Sequence, residues 1–188
     1  MRSDVVVLFA DPLGPYPGLV EEWYDEARDA WTYAGAKPVV AHPPCGPWGR
    51  LAHLCRRPQD RKHAPWAVAL VQRLGGVLEH PAGSRLWNEL RLPLPGALPD
   101  QFGGRSYALE QVAWGHACRK PTWLYVVGVP AAEVRIRAGG EPTHQIWGSR
   151  RPGQRHRIDL KGAHAGMRRR TPVLFAQWLI DLASKAVR

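Results

Sequence analysis

Two short segments place a thiol and a carboxyl group where the edge of a sheet is expected. The first, residues 39–45, ends with Cys45, and the second, residues 76–81, contains Glu79. Each is an aliphatic run that meets proline, which cannot continue a central strand, so both are predicted to stop at the carboxyl edge of a sheet. Open α/β sheets place their chemistry at that edge. The two segments therefore predict a thiol nucleophile beside a carboxylic acid.

Each of these groups needs a shifted pKa for its role. A cysteine reacts as the thiolate, so the pKa of Cys45 must fall, and we expect His42, Arg50 and the start of the following helix to lower it. Glu79 follows apolar residues, so we expect burial to raise its pKa and keep a proton available. The sequence thus predicts a reactive thiolate and a protonated acid.

The first half of the chain alternates predicted strands and helices. Apolar runs predict strands at residues 5–9, 38–41 and 77–79. Helical spacing predicts helices at residues 19–33 and 64–74, the second ended by a glycine pair. This order predicts parallel strand pairing.

The second half is expected to close the sheet with antiparallel strands. Residues 107–112 and 122–129 read as two strands at one edge, and residues 171–183 as a final helix with Thr171 as its N-cap and Pro172 at its first position. Residues 138–166 lack periodicity and are predicted to be a basic loop. The whole chain, 1–188, is expected to form a single Rossmann-like three-layer α/β domain.

Length and composition limit the class of protein. The chain has 188 residues, of which 45% are hydrophobic, so it can bury a core without disulfides or metal. No apolar run has the length of a signal peptide or a membrane span, so a cytoplasmic protein is expected. The three cysteines have no CxxC spacing, which favours reduced thiols. No metal site is predicted, because the spacing of Cys45, His53, Cys55, His116 and Cys118 is not that of a zinc finger.

The charge of the chain indicates a polyanionic partner. The formal net charge is +10, and basic residues cluster after the cysteine segment and near the carboxyl terminus. Such a surface attracts nucleic acid, and nine tryptophans supply rings for stacking on bases. A solvated, solubilising surface is the alternative interpretation. The clusters are Arg50, Arg56, Arg57, Arg61 and Lys62; Arg119 and Lys120; and Arg150, Arg151, Arg155, Arg157, Lys161, Arg168, Arg169 and Arg170.

The order of these motifs resembles a known enzyme family. Pro44-Cys45 comes first, a Glu79-x-Pro81 turn follows, and then comes a segment over residues 111–124. That segment reads Gln111-x3-Gly115-His116-x3-Lys120-x-Thr122-Trp123-Leu124. Together they are similar to the shortened, often phage-encoded relatives of DNA cytosine carbon-5 methyltransferases, over about residues 38–129.

The resemblance implies roles for individual residues. Cys45 matches the nucleophile that adds to carbon-6 of a pyrimidine, and Glu79 matches the acid that protonates the ring nitrogen, with His80 in place of the usual asparagine. Trp48 or Trp87 would fill the space left by a base flipped out of a duplex. The residues predicted to contact the base or the DNA are Pro44, Trp48, Arg50, His80, Gln111, His116, Arg119, Lys120, Arg168, Arg169 and Arg170.

The resemblance also implies S-adenosylmethionine as the methyl donor. In the family a glycine-rich loop after the first strand approaches this cofactor, and here the matching loop contains Asp11 and Gly14. Prolines occupy positions where free amides would be wanted. The family's second strand ends in an acid that binds the ribose, and we expect that strand to be absent here.

Several alternatives to this function stay open. A base-processing enzyme of the glycosylase or base-exchange type would use Asp11 rather than Cys45. A nucleic-acid-binding protein would hold a base without converting it. In a purely structural interpretation, Cys45 is a buried apolar residue, Glu79 caps a helix beginning near Ser84, and His116 and Lys120 are ordinary surface residues.

Overall fold

The computed structural model describes residues 3–145 and 161–187, and its main feature is a six-stranded sheet. The strands are β1 (Ser3–Leu8), β2 (Val20–Tyr24), β3 (Val39–Ala41), β4 (Gly76–Pro81), β5 (Arg105–Glu110) and β6 (Pro121–Val127). Their spatial order is β2-β1-β3-β4-β6-β5. A separate small sheet pairs β7 (His144–Gln145) with β8 (Lys161–Gly162).

Strand directions in the main sheet are mostly parallel. β1 pairs in parallel with β2 and β3, and β3 pairs in parallel with β4. β6 runs antiparallel between β4 and β5. The expected α/β class, with parallel strands and an antiparallel edge, is confirmed.

Apolar side chains project from both faces of the sheet. Because side chains alternate along a strand, Val6 and Leu8 of β1 join one core, and Val5 and Val7 join the other. Helix α1 (His63–Leu74) packs in the first core, and helix α4 (Val173–Ala183) packs in the second. Two short helices, α2 (Arg85–Glu89) and α3 (Ala165–Arg169), complete the described helices.

The predicted helix at residues 19–33 is wrong. Residues Val20–Tyr24 form the edge strand β2, which pairs in parallel with β1. In the residues that follow, Asp25 accepts a hydrogen bond from the Arg28 amide (2.7 Å), and Asp29 accepts one from the Trp31 amide (3.0 Å). Aspartate side chains that satisfy local amides favour turns over a continuous helix.

The start of the last helix also differs by a residue from the prediction. α4 begins at Val173, its N-cap position is Pro172, and no side chain caps it. Thr171 is therefore not the N-cap. The buried face of α4 agrees with the prediction, since Phe175 and Leu179 are fully buried.

The register of β4 is held by a close approach to β3. Gly76 begins β4 with a φ of 116°, and a β-carbon there would clash with the backbone of Val39. Only glycine adopts this conformation without strain. The start of β4 is thereby fixed against β3.

Three short 3-10 turns place residues at the carboxyl edge of the parallel strands. They are Tyr16–Gly18 between β1 and β2, Gly46–Trp48 after β3, and Gln111–Trp114 after β5. The predicted strand at residues 107–112 therefore ends at Glu110 instead. Arg150, Arg151, Arg155 and Arg157, in the predicted basic loop, lie outside the described residues.

Among the described residues, no helix has both the length and the apolar character that crossing a membrane requires.

Candidate active site

His42 and Glu79 meet because of the register between β3 and β4. Ala41 pairs with Leu78, so the next residue on each strand, His42 and Glu79, lies side by side. Val40 and Val77, two residues earlier, face the core that contains α4, and alternation directs His42 and Glu79 to the same side. His42 Nδ1 lies 3.1 Å from Glu79 Oε2.

The other carboxylate oxygen of Glu79 is held by the segments that flank β5 and β6. Gln111 Nε2 donates to Glu79 Oε1 (2.9 Å) and to Thr122 Oγ1 (2.9 Å). The Thr122 hydroxyl lies 3.0 Å from the carbonyl oxygen of Lys120. Gln111 is only 1% exposed, so it orients Glu79 and is not placed to contact nucleic acid as predicted.

The pKa of Glu79 moves in the direction opposite to the prediction. Burial raises this pKa, but the charge of Lys120 and the hydrogen bond from His42 together outweigh burial and lower the pKa of Glu79 to about 2. The expectation of a raised pKa considered only the apolar neighbours along the chain. Because Gln111 and His42 are bonded to it and the charge of Lys120 lies nearby, Glu79 is a carboxylate at neutral pH.

Tyr16 extends this arrangement on the far side of His42. The Tyr16 hydroxyl lies 2.5 Å from His42 Nε2, and Tyr16 is 1% exposed. Burial and the negative charge of Glu79 raise the pKa of Tyr16 well above its ordinary value. The phenol therefore stays neutral, and Tyr16, His42 and Glu79 form a continuous hydrogen-bonded chain.

Cys45 lies at the mouth of the site, where its turn begins. Its carbonyl accepts the amides of Trp48 (3.0 Å) and Gly49 (3.1 Å), and its side chain is accessible. A buried apolar role for Cys45 is therefore wrong.

The pKa of Cys45 is raised, whereas the sequence predicted that it would fall. Crowding of the sulfur by protein and the negative charge of Glu79 raise it, and Lys120 and Arg169 oppose this increase. His42, expected to favour the thiolate, is bonded to Glu79 and Tyr16 instead. The thiol is mostly protonated at neutral pH.

His80 points to the opposite face of β4, where it is 1% exposed. Its Nδ1 lies 2.8 Å from Ser84 Oγ. Burial lowers the pKa of His80 to about 4, against the opposing effects of Glu79 and the carbonyls of Pro44 and Pro43. The ring is therefore neutral at neutral pH.

Ser84 rather than Glu79 caps the helix that follows β4. The Ser84 hydroxyl accepts the amide of Leu86 (3.2 Å) at the start of α2. The alternative in which Glu79 is a helix cap is therefore wrong.

The two tryptophans predicted to line a base pocket belong to the core. Trp48 is 0% exposed, with the Arg61 guanidinium 4.0 Å from its ring centroid. Trp87 is 1% exposed and donates from Nε1 to Ser106 Oγ (2.8 Å). Neither ring is placed to stack on a flipped base in this conformation.

Cationic side chains border the site from two directions. Arg119 and Lys120 precede β6, and Arg168 and Arg169 belong to α3, with Arg170 directly after it. All are exposed except Lys120, which is partly exposed. Arg50 is exposed and follows the cysteine turn, and Pro44 is partly buried beside Cys45.

His116 is buried, whereas the purely structural interpretation expected an ordinary surface residue. It is 4% exposed, its Nδ1 accepts the amide of Cys118 (3.0 Å), and burial lowers its pKa. His116 also lines an open cleft of about 390 Å³ together with Met167, Arg170 and the first residues of α4. The cleft adjoins the cationic border.

The loop expected to bind S-adenosylmethionine is closed on itself. Asp11 Oδ1 accepts the amide of Leu13 (3.0 Å), and the Asp11 carbonyl accepts the amide of Gly14 (2.9 Å). These amides are thus already bonded within the loop, so Asp11 and Gly14 do not fit the cofactor-binding role in this conformation.

A strand, β2, lies where the sequence predicts a helix and no second strand. It ends at Tyr24, and Asp25 follows. The prediction is wrong because helical spacing over residues 19–33 conceals the pairing of residues 20–24 with β1. The Asp25 carboxylate accepts the Arg28 amide.

Among the residues described, no group of three or more His, Cys, Asp or Glu side chains is arranged to hold a metal ion. No protein-family model matches the chain, and no curated protein matches it significantly. The function must therefore be inferred from the site itself.

The site residues differ in whether the sequence around them indicates their contacts. The sequence predicted that His42 would act on Cys45, and its contact with Glu79 was missed, although period-two alternation after Val40 and Val77 places both side chains on one face. Nothing in the sequence near Tyr16 indicates its contact with His42, which is 26 residues away.

Proposed function

We propose that this protein modifies pyrimidine bases in DNA and is related to the shortened, phage-type relatives of DNA cytosine carbon-5 methyltransferases. One observation carries the proposal. An accessible Cys45 thiol follows β3, and a buried Glu79 lies on the neighbouring β4, close enough for its charge to raise the pKa of the thiol. A nucleophile and a proton-transfer group on adjacent strands suit attack on an aromatic ring.

We further propose a Rossmann-like, three-layer arrangement for the fold. β1 lies between β2 on one side and β3 on the other, so chain progression reverses at β1. In open α/β sheets, ligands bind beside the carboxyl ends of the strands at such a reversal. Tyr16, His42 and Cys45 all come from the loops at this place, which supports the assignment of the site.

The proposed chemistry begins with covalent addition. The Cys45 thiolate forms a bond to carbon-6 of the pyrimidine, and the π electrons of the C5–C6 double bond move into the ring as a proton reaches the ring nitrogen. Carbon-5 becomes nucleophilic and attacks the carbon of an electrophilic one-carbon donor, whose leaving group departs with the electron pair of the broken bond. The ring nitrogen returns its proton, and loss of the carbon-5 proton reforms the double bond and expels the thiolate.

The proposal assigns no step to S-adenosylmethionine, because the amides of Leu13 and Gly14 are bonded to Asp11. Lys120 and Arg169 favour the thiolate by lowering the pKa of Cys45, against the effects of crowding and of Glu79. Thiol activation in this proposal thus depends on cations that also suit phosphate contacts.

The cationic border supports DNA as the substrate. Lys120, Arg168, Arg169 and Arg170 lie around Cys45 and the adjoining cleft. Side chains of this kind contact phosphates and set the register of a strand on a protein. A base extruded from that strand would reach Cys45.

A mechanism-based trap tests the proposal without the donor. Oligonucleotides containing 5-azacytosine have an electron-poor carbon-6, and a cysteine adduct accumulates on them. We expect a complex that survives denaturing electrophoresis, disappears in Cys45→Ser and persists in the control Cys55→Ser.

Two other outcomes would replace this function. Abasic sites in treated DNA would favour a glycosylase or base-exchange enzyme. Salt-dependent binding that survives Cys45→Ala, with no adduct and no altered nucleoside by mass spectrometry, would favour a binding protein.

A further inference from the structure

Tyr16, His42 and Glu79 form a buried series of hydrogen bonds, and the mechanism proposed above gives Tyr16 and His42 no role. The series joins the turn after β1, the residue after β3 and the middle of β4, through contacts of 2.5 Å and 3.1 Å. The side chains of His42 and Glu79 are 12% and 11% exposed, and Tyr16 is almost fully buried. Burying three polar side chains is costly unless each is bonded to another.

The orientation of Glu79 within this chain is fixed. Gln111 Nε2 donates to Oε1, which also lies 3.4 Å from Thr122 Oγ1, and the other oxygen, Oε2, is bonded to His42. The carboxylate is ionised in this setting, as its low pKa requires. A carboxylate that must protonate a base therefore needs a proton supplied to it.

We propose that His42 supplies this proton and that Tyr16 positions the His42 ring. The inference rests on the proposed function and deepens it. The His42 imidazolium transfers its Nδ1 proton to Glu79 Oε2, and Glu79 passes a proton to the ring nitrogen as the Cys45 thiolate bonds to carbon-6. His42 is left neutral, with its hydrogen on Nε2 donated to the Tyr16 oxygen. The positive charge moves from His42 to the base and is neutralised by the incoming thiolate.

The surroundings of His42 suit such a transfer. The titratable or charged groups that face it are Tyr16 from the turn after β1, Glu79 from β4, Lys120 beyond Glu79 and His80 from the other face of β4. α4, packed on the same side of the sheet, contributes apolar side chains such as Phe175 and Leu179. The contact between His42 and Glu79 is thus largely buried.

Asparagine in place of His42 separates proton supply from positioning. In His42→Asn, the side-chain amide nitrogen occupies nearly the place of Nδ1 and still donates to Glu79, but it carries no exchangeable charge. We expect the variant to fold and to bind DNA as before, while adduct formation with 5-azacytosine DNA slows about 100-fold, the usual contribution of a general acid. His53→Asn, which changes an exposed histidine, serves as the matched control.

The pH profile distinguishes proton supply from a structural role. In the wild type, adduct formation should rise less steeply with pH than the ionisation of Cys45 alone, because proton supply and thiolate formation have opposite pH dependences. In His42→Asn, the profile should follow the ionisation of Cys45 alone. Tyr16→Phe should slow adduct formation, because the His42 ring loses its Nε2 partner. A wild-type rate and an unchanged profile in His42→Asn would overturn the inference.

A measurement on the free protein decides the matter even if no adduct forms. Nitrogen-15 NMR of the histidine rings reports the protonation of each nitrogen. We expect His42 Nδ1 in the wild type to carry a hydrogen that is bonded to Glu79, and we expect its signal to change in Glu79→Gln. A His42 ring whose Nδ1 carries no hydrogen, or one unaffected by Glu79→Gln, would refute proton supply. Absence of the adduct with the expected NMR behaviour would count against the proposed function alone.

Discussion

His42 Nδ1 lies 3.1 Å from Glu79 Oε2, and this contact joins two adjacent parallel strands, β3 and β4, at the carboxyl edge of the sheet. It brings together two residues that are 37 positions apart in the chain. It also explains why a buried carboxylate stays ionised, since the donors at Glu79 outweigh the cost of burial. The pH dependence of the protein should therefore reflect this group and its neighbours.

Glu79 should stabilise the fold in a pH-dependent manner. Its pKa is about 2 in the folded protein and about 4.3 in an unfolded chain, so the stabilisation is present above about pH 4.3 and disappears as pH falls through about 2. The difference corresponds to about 3 kcal/mol. Urea unfolding of the wild type and Glu79→Gln should differ most near neutral pH and converge in acid. An equal difference at pH 7 and pH 2.5 would contradict the assigned pKa.

His80 should also make the protein less stable in acid. Its pKa is about 4 in the fold and about 6.5 in an unfolded chain, so the unfolded state binds the proton first. Stability should fall by about 3 kcal/mol between pH 6.5 and 4, and much of this loss should vanish in His80→Gln. Unfolding midpoints measured across this range test it, with His53→Gln as the control. A loss of the same size in His80→Gln would contradict the prediction.

Cys45 should react slowly with alkylating reagents at neutral pH. Crowding and Glu79 raise its pKa, so the rate with iodoacetamide should still be increasing above pH 9. Lys120→Met should slow the reaction further at pH 8, because it removes a cation that lowers the pKa. The Cys55→Ser background simplifies mass spectrometry, since Cys118 is 0% exposed. A rate that reaches its plateau below pH 8 would show an activated thiolate instead.

The arginines of α3 should contribute to DNA binding in a salt-dependent manner. Charge reversal at Arg168, Arg169 and Arg170 should weaken binding and reduce the slope of log K against log salt by about 0.9 for each duplex phosphate that is no longer neutralised. Arg73→Glu is the control, because Arg73 is an exposed cation in the last turn of α1, which leads to the start of β4. Fluorescence anisotropy over a salt series gives both slopes. An unchanged slope in the triple variant would identify these arginines as ordinary surface.

The sequence located the site because its signals are local. Aliphatic runs that meet proline predicted β3 and β4 and placed Cys45 and Glu79 at adjacent strand ends, and helical spacing predicted α1 and α4. These patterns depend on neighbouring residues only, and the structure agrees with them to within a few residues.

What the sequence did not predict depends on distant contacts. β2 exists because it pairs with β1, while Asp25 and Asp29 stabilise turns where helical spacing predicted a helix. The pKa of Cys45 is raised by crowding and by Glu79, and the pKa of Glu79 is lowered against burial by Lys120 and His42, groups that are distant in the chain. Local composition therefore gave the wrong direction for both groups.

The close approach of Gly76 to Val39 has a further consequence for how this chain tolerates insertions and deletions. Glu79 and His80 serve opposite faces of β4, one bonded to His42 and the other to Ser84. A single residue added or removed between Gly76 and Glu79 would exchange the carboxylate and the imidazole between the two faces. Length changes at the exposed Gly83, after the strand, would leave both in place. The spacing of three residues from Gly76 to Glu79 thus decides whether the carboxylate or the imidazole lies on the face of β4 toward Cys45.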